Sequence, residues 1–119
     1  MELISSNIES DDSVIRIPRC LREHWLWNNA KYLKWWLTLV MMAQEADECT
    51  KFIGRRRVTL KRGQLAISVR DLAQIFACSK NTVVTFLRSL REEGMIRREI
   101  EHKITITEIS DYDKYCCRK

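Results

Sequence analysis

Two amphipathic stretches joined by a tight turn, a glycine closing the second, and two strand-like runs right behind it predict a mostly α chain with a small β hairpin. Elements in that order make a winged helix-turn-helix. The pivotal segment is "CSKNTVVTFLRSLREEGMIRR", residues 78–98. Ser79 is its N-cap, because a short hydroxyl side chain can accept from a free first-turn amide. Val83, Phe86, Leu87 and Leu90 recur at helical spacing and form a narrow apolar stripe. Gly94 is placed to end the helix in a left-handed conformation.

The preceding helix reads from "SVRDLAQIFAC". Ser68 and Asp71 approach a capping box, with Asp in place of the usual Glu. Val69, Leu72, Ile75 and Phe76 are its expected buried stripe, and a short turn at Ala77 and Cys78 leads into the next helix. After Gly94, "MIRREIE" and "ITITEIS" flank His102 and Lys103 and predict a hairpin with a basic tip. In the second run Ile104, Ile106 and Ile109 are expected to face mostly one way, and Thr105 and Thr107 the other.

Upstream, "VIRIP" reads as an edge strand or extended lead-in ended by Pro18. "CLREHWLWN" follows as a short helix. "NNAKYLKWWLTLVMMAQEADE" is the strongest helix, capped by Asn28 or Asn29. It carries one stripe of Leu33, Trp36, Leu37, Val40 and Met41 and another of Tyr32, Trp35, Leu39 and Met42. A helix apolar on two faces is buried on two sides. The domain core takes one; the N-terminal segment with Trp25 and Trp27, or a second subunit, takes the other. Between this helix and Ser68, "RVTL" and "QLAI" read as short strands paired about a tight "KRG" turn. At the end, Tyr112 and Tyr115 of "DYDKY" are expected to dock back on the body.

The domain boundaries follow: an acidic flexible arm over 1–13, a winged-helix domain over 14–115 and a tail over 116–119. The arm holds Glu2, Glu9, Asp11 and Asp12 with no base, and could lie over a basic face. Residues 51–103 hold 13 bases against 5 acids, a concentration that suggests a polyanionic partner.

The helix after Ser79 shows how that charge is aimed. At 100° per residue, Arg88, Asn81, Glu92 and Thr85 fall roughly opposite the apolar stripe. A helix fixed by a narrow stripe can project its other face into a major groove, which admits one helix. Asn81 suits adenine, Arg88 suits guanine, and Thr85 and Val84 suit a thymine methyl. Ser79, Lys80 and Thr82 stand at the helix N-terminus, where amides and dipole favour a phosphate. Arg97, Arg98, His102 and Lys103 lie on or beside the hairpin, placed for backbone phosphates or a neighbouring minor groove. The expected partner is double-stranded DNA, and a homodimer would set two such helices one turn of duplex apart.

"GQLAISVRDLAQIFACSKNTVVTFLRSLREEGMIRRE" followed by "ITITEISDYDKY" resembles the winged-helix domain of phage and mobile-element replication initiators, often called replisome organisers. The series Arg62-Gly63-Gln64, Ser79-Lys80-Asn81-Thr82-Val83, Leu87, Leu90, Gly94 and Ile96 carries the resemblance. Its "SKNTV" part is shared with winged-helix regulators of the GntR type. The resemblance implies sequence-specific duplex binding in replication initiation, with a small transcriptional regulator or a protein-interaction winged helix as alternatives. Many such initiators continue into a second domain that recruits a helicase or its loader, so a replication-protein partner is implied only where that domain exists.

Other classes receive little from the sequence. No carboxylate pair, Ser-His-Asp set, Cys-His dyad or phosphate-cradling Gly loop stands out, so no enzyme and no cofactor are expected. Cys20, Cys49, Cys78, Cys116 and Cys117 are odd in number and scattered, which speaks against a disulfide framework or metal site and for a reduced, cytoplasmic setting. The most apolar run, "YLKWWLTLVMMA", contains Lys34 and is shorter than the ~20 residues a bilayer span needs.

Overall fold

The computed structural model describes residues 14–101 and 104–117. The acidic arm, His102, Lys103 and the last two residues lie outside the described residues. The chain runs through β1 (Val14–Ile15), two 3-10 turns (Arg19–Glu23 and Trp25–Asn28) and α1 (Ala30–Met42). Strands β2 (Glu48–Ile53), β3 (Arg56–Lys61) and β4 (Gln64–Ala66) follow, then α2 (Val69–Phe76) and α3 (Lys80–Glu92). The last elements are β5 (Ile96–Glu101), β6 (Ile104–Ile109), a four-residue helix α4 (Tyr112–Tyr115) and β7 (Cys116–Cys117). Helices with small antiparallel sheets, in this order, form a winged helix-turn-helix.

Local chemistry accounts for the helix starts. Asn29 Oδ1 accepts from the Tyr32 amide at 3.1 Å and fixes where α1 begins. Ser68 Oγ does the same for Asp71 at 3.0 Å, and Ser79 Oγ for Thr82 at 3.2 Å. The segment after Pro18 winds as 3-10 turns rather than the expected helix, with His24 Nδ1 accepting from the Leu26 amide at 3.2 Å.

The α1 helix is the central core element. Trp35 is stacked on Phe76 with ring centroids 4.8 Å apart and planes 10° apart. The same indole meets Phe86 edge-on at 5.5 Å, and Tyr32 lies 4.9 Å from Phe86. One face of α1 thus locks both helices of the helix-turn-helix. Trp36 and Val40, on the other face, are buried in the same core with Leu21 and Leu26. Tyr115 closes on Trp36 edge-on at 5.5 Å. The N-terminal segment covers this face, but not with Trp27, which is 46% exposed. Met41 and Met42 also leave their expected stripes: they face solvent in the last turn of α1, while Leu39, Val40 and Ala43 face the core. In α2 the buried set is Leu72, Ala73 and Phe76; Ile75 is 51% exposed. The close stacking of Trp35 on Phe76 turns α2 so that Ala73, not Ile75, faces inward.

Strand pairing departs from the sequence reading at one place. β3 does not pair with β4 about "KRG". It turns back on β2, with Ile53 opposite Arg56 and Glu48 opposite Lys61. Gly54 has φ 62° at the first position of the two-residue turn, as a II′-type turn requires. Gly63 instead redirects the chain. Its amide donates to Gln44 O, its carbonyl accepts from the Ile109 amide, and its φ is 84°. β4 therefore joins β6, which also pairs with β5, giving the order β4-β6-β5.

β6 is buried from both sides. Ile106 and Ile104 pack with Val58 and Leu60 of β3 in a second small core. Ile109 belongs to the helical core. Side chains alternate along a strand, so Ile109 shares its face with Thr105 and Thr107, not with Ile104 and Ile106 as expected. The β2–β3 hairpin is the reason: it lies over the sheet face turned away from the helices and supplies that face with its own apolar partners. At the ends, β1 pairs with β7, Val14 opposite Cys117, so two residues assigned to a tail form a backbone ladder with the start of the domain.

Phe86 is fully buried at the meeting point of three rings. Phe86→Ala is expected to destabilise the fold by about 3–5 kcal/mol. Met41→Ala, at a side chain 67% exposed, is expected to stay within about 0.5 kcal/mol. Urea unfolding midpoints of the two variants check both. Gly63→Ala is a second probe: an added Cβ would meet Tyr112 Cβ at 2.8 Å in a left-handed backbone, at an expected cost of at least about 2 kcal/mol.

Candidate nucleic-acid interface

The geometry of the helix-turn-helix is set by how α2 stops. Ala77 takes the left-handed conformation, φ 56° and ψ 48°. Its amide reaches Gln74 O at 3.2 Å, and the Cys78 amide reaches back to Ala73 O at 3.0 Å. This pair of bonds is a Schellman ending, here without glycine. α3 ends the same way, with Gly94 N on Arg91 O at 3.0 Å and Met95 N on Leu90 O at 2.9 Å. Left-handed residues at 77 and 94 thus aim α3 out of α2 and aim β5 out of α3.

α3 buries Val83, Phe86, Leu87 and Leu90 and exposes Lys80, Asn81, Val84, Thr85, Arg88 and Glu92, as its wheel predicts. Asn81, Thr85 and Arg88 lie along one outer stripe spanning about 10 Å at 1.5 Å per residue. Thr85 Oγ donates to Asn81 O at 3.0 Å and Ser89 Oγ donates to Thr85 O at 3.1 Å. The Thr85 hydroxyl proton is thus committed to the helix backbone. Ser79 and Thr82 hydroxyls lie 2.9 Å apart and satisfy each other and the cap. The exposed side chains at the helix start that take no part in the cap are Lys80 and Asn81. Neither Lys80 nor Arg88 has an ion pair among the described residues.

The hairpin separates two residues that the sequence placed together. Arg97 stands opposite Glu108 and Arg98 opposite Thr107, so the two arginines face opposite sides of the sheet. Arg97 is exposed; Arg98 is half-buried on the helix side, and its Nε has no hydrogen-bond partner. Burial, and secondarily the nearby Arg91 charge, hold the Arg98 guanidinium below its ordinary pKa. It has no ion pair among the described residues, and it lines a shallow cleft with Arg91, Arg97, Glu108 and Asp111. Sequence reasoning missed Arg91. The wheel placed it at the edge of the stripe, and only the return of β5 along α3 brings it to Arg98. His102 and Lys103 lie outside the described residues.

Arg62 stands apart from the other bases. Its Nε–H donates to Asp113 Oδ1 at 2.6 Å, its guanidinium covers the Tyr112 ring at 5.0 Å, and it also donates to Glu45 O. The "RGQ" and "YDKY" segments are therefore mates in a structural clamp. Among the described residues no helix is long and apolar enough to cross a membrane.

Residues 36–111, from the middle of α1 to the residue before α4, match the family model of the Crp-like helix-turn-helix domain. The match covers more than half of the chain. The chain belongs to the Crp-like helix-turn-helix domain family. The Crp-like domain is a DNA-binding module typical of transcriptional regulators. The match lends no support to the resemblance to replication initiators, whose flanking motifs are the two halves of the Arg62 clamp. No curated protein and no solved structure matches the chain.

The turn yields a prediction of its own. A left-handed alanine is strained by roughly 1–2 kcal/mol, while glycine there costs unfolded-chain entropy of about 0.4–1 kcal/mol. Ala77→Gly is therefore expected to stabilise the Crp-like domain by up to about 1 kcal/mol, read as a rise in thermal midpoint, without altering DNA affinity.

Proposed function

We propose that this Crp-like domain binds duplex DNA sequence-specifically through α3, as a small transcriptional regulator. The observation that carries the reading is the outer stripe of α3, where Asn81, Thr85 and Arg88 stand exposed, with no ion pair among the described residues, while four apolar residues anchor the opposite side. In this reading Asn81 pairs with adenine and Arg88 with guanine, and the Thr85 methyl packs on thymine. Lys80, with the first-turn amides of α3 that Ser79 does not cap, holds a phosphate at the helix N-terminus. Arg97 and Arg98, on opposite faces of β5, cannot both serve one groove. Arg98, on the helix side, takes the phosphate beside α3, and an anion there relieves its repulsion from Arg91. His102 and Lys103 extend the wing contact. Residues 14–115 act as the binding unit.

Regulation is favoured over replication because the family match points to it and the replication-type motifs have a structural explanation. The test is selection of bound sites from a random duplex library, followed by anisotropy at several salt concentrations. Asn81→Ala with Arg88→Ala is expected to lose about 1–3 kcal/mol of discrimination at each base read. Lys80→Ala is expected to weaken all duplexes alike and lower the salt slope by about one. An unchanged selected motif in the double variant would contradict the assignment of α3. Selected sites falling in repeat arrays rather than single promoter operators would return the replication reading.

A further inference from the structure

The β2–β3 hairpin is not needed to complete the helix-turn-helix or its sheet, yet it carries a dense run of positive charge. Its turn-proximal half, residues 51–57, reads "KFIGRRR": Lys51, Arg55, Arg56 and Arg57 with no carboxylate. All four are exposed, and none has an ion pair among the described residues. Like charges so close repel unless a polyanion neutralises them. Phe52, directly across the ladder from Arg57 and on the same hairpin face, is 74% exposed.

Packing shows where this end points. Val58 and Leu60 of the hairpin share a core with Ile106, against which Ile53 and Ile104 also pack. Ile53 is the last residue before the β2–β3 turn, and Ile104 is the first residue of β6, at the turn end of β5–β6. Both hairpins therefore leave the body on the same side. The turn stands clear of it: a Cβ on Gly54 would find no atom within 4 Å. Lys51 and Arg56 belong to the same hairpin face as Val58 and Leu60 but are exposed, so this face overhangs the sheet beneath it.

We propose that the β2–β3 hairpin is a second wing, in which Lys51, Arg55, Arg56 and Arg57 bind backbone phosphates flanking the site read by α3, and Phe52 packs on the sugar-phosphate edge. The inference rests on the DNA-binding reading of α3 and deepens it. Phosphates carry no sequence information, so this wing adds affinity and salt dependence, not base preference.

The test compares wild type with Lys51→Gln/Arg55→Gln/Arg56→Gln/Arg57→Gln by fluorescence anisotropy on a labelled random-sequence 40-base-pair duplex between roughly 50 and 200 mM salt. Asn81→Ala/Arg88→Ala runs beside them, and thermal melts check folding. The quadruple variant is expected to bind at least ~10-fold more weakly at the lower salt and to lower the log–log slope by about two to four. Arg55→Gln/Arg56→Gln alone, at the turn and away from the packed residues, is expected to give about half that change in slope. Phe52→Ala is expected to weaken binding severalfold with the slope unchanged, since an apolar contact releases no counterion. Unchanged affinity and slope in both charge variants, with wild type still binding, would overturn the second wing and leave the α3 reading standing. Absence of duplex binding by wild type would overturn both.

Discussion

Trp35 lies flat against Phe76 and edge-on against Phe86, with Tyr32 closing the group from one turn earlier on α1. These rings come from α1, α2 and α3, and offset or edge-to-face contacts of this kind hold ring orientation as well as area. With α1 clamped on both helices, the angle between α2 and α3 has no freedom to open. The left-handed ending at Ala77 then sets the direction in which α3 leaves the turn. The exposed stripe of Asn81, Thr85 and Arg88 is a consequence: it is what remains outside once Val83, Phe86, Leu87 and Leu90 have been taken by the core.

The sheet follows the same logic of two-sided burial. β6 gives Ile109 to the helices and Ile106 to the β2–β3 hairpin, so one strand joins two small cores. Gly63 is the junction, bonded to Gln44 on one side and Ile109 on the other, beneath Tyr112. Arg62 secures the neighbouring ends through Asp113 and the Tyr112 ring. The result is a scaffold whose bases divide by use. Arg62 is engaged in the fold, Arg98 is half-buried on the helix side, and Lys80 and Arg88 on α3 and Lys51, Arg55, Arg56 and Arg57 on the β2–β3 hairpin are exposed.

Much of this was legible in the sequence. Helix positions, caps and the Gly94 ending follow from 3.6-residue periodicity and short polar side chains, and the structure keeps Asn29, Ser68 and Ser79 as the caps. The strand partners were harder. "ECTKFI" has no apolar alternation, since only its Cys49 and Ile53 are even half-buried, so β2 left no period to read and β3 was given the wrong mate. Met41, Met42 and Ile75 fit a helical stripe by number but lie at its edge and are exposed, because the buried face of each helix centres on other residues: Leu39 and Val40 in α1, Leu72, Ala73 and Phe76 in α2. The Arg62–Asp113 contact joins residues 51 apart and has no local signature. For the interface, the α3 stripe was readable because one helix carries both its buried and its exposed side. The split of Arg97 from Arg98 was available from strand alternation alone. The approach of Arg91 to Arg98 was not, because it depends on how β5 returns along α3.

The central claim is that the outer stripe of α3 meets DNA. Its most direct test is amide chemical-shift mapping of the chain on titration with a random-sequence duplex at low salt. Shifts are expected to concentrate at residues 79–92 on the exposed side of α3, while Trp36, Leu39 and Val40 stay fixed. Shifts centred instead on Trp27, Met41 and Met42, with α3 silent, would contradict this.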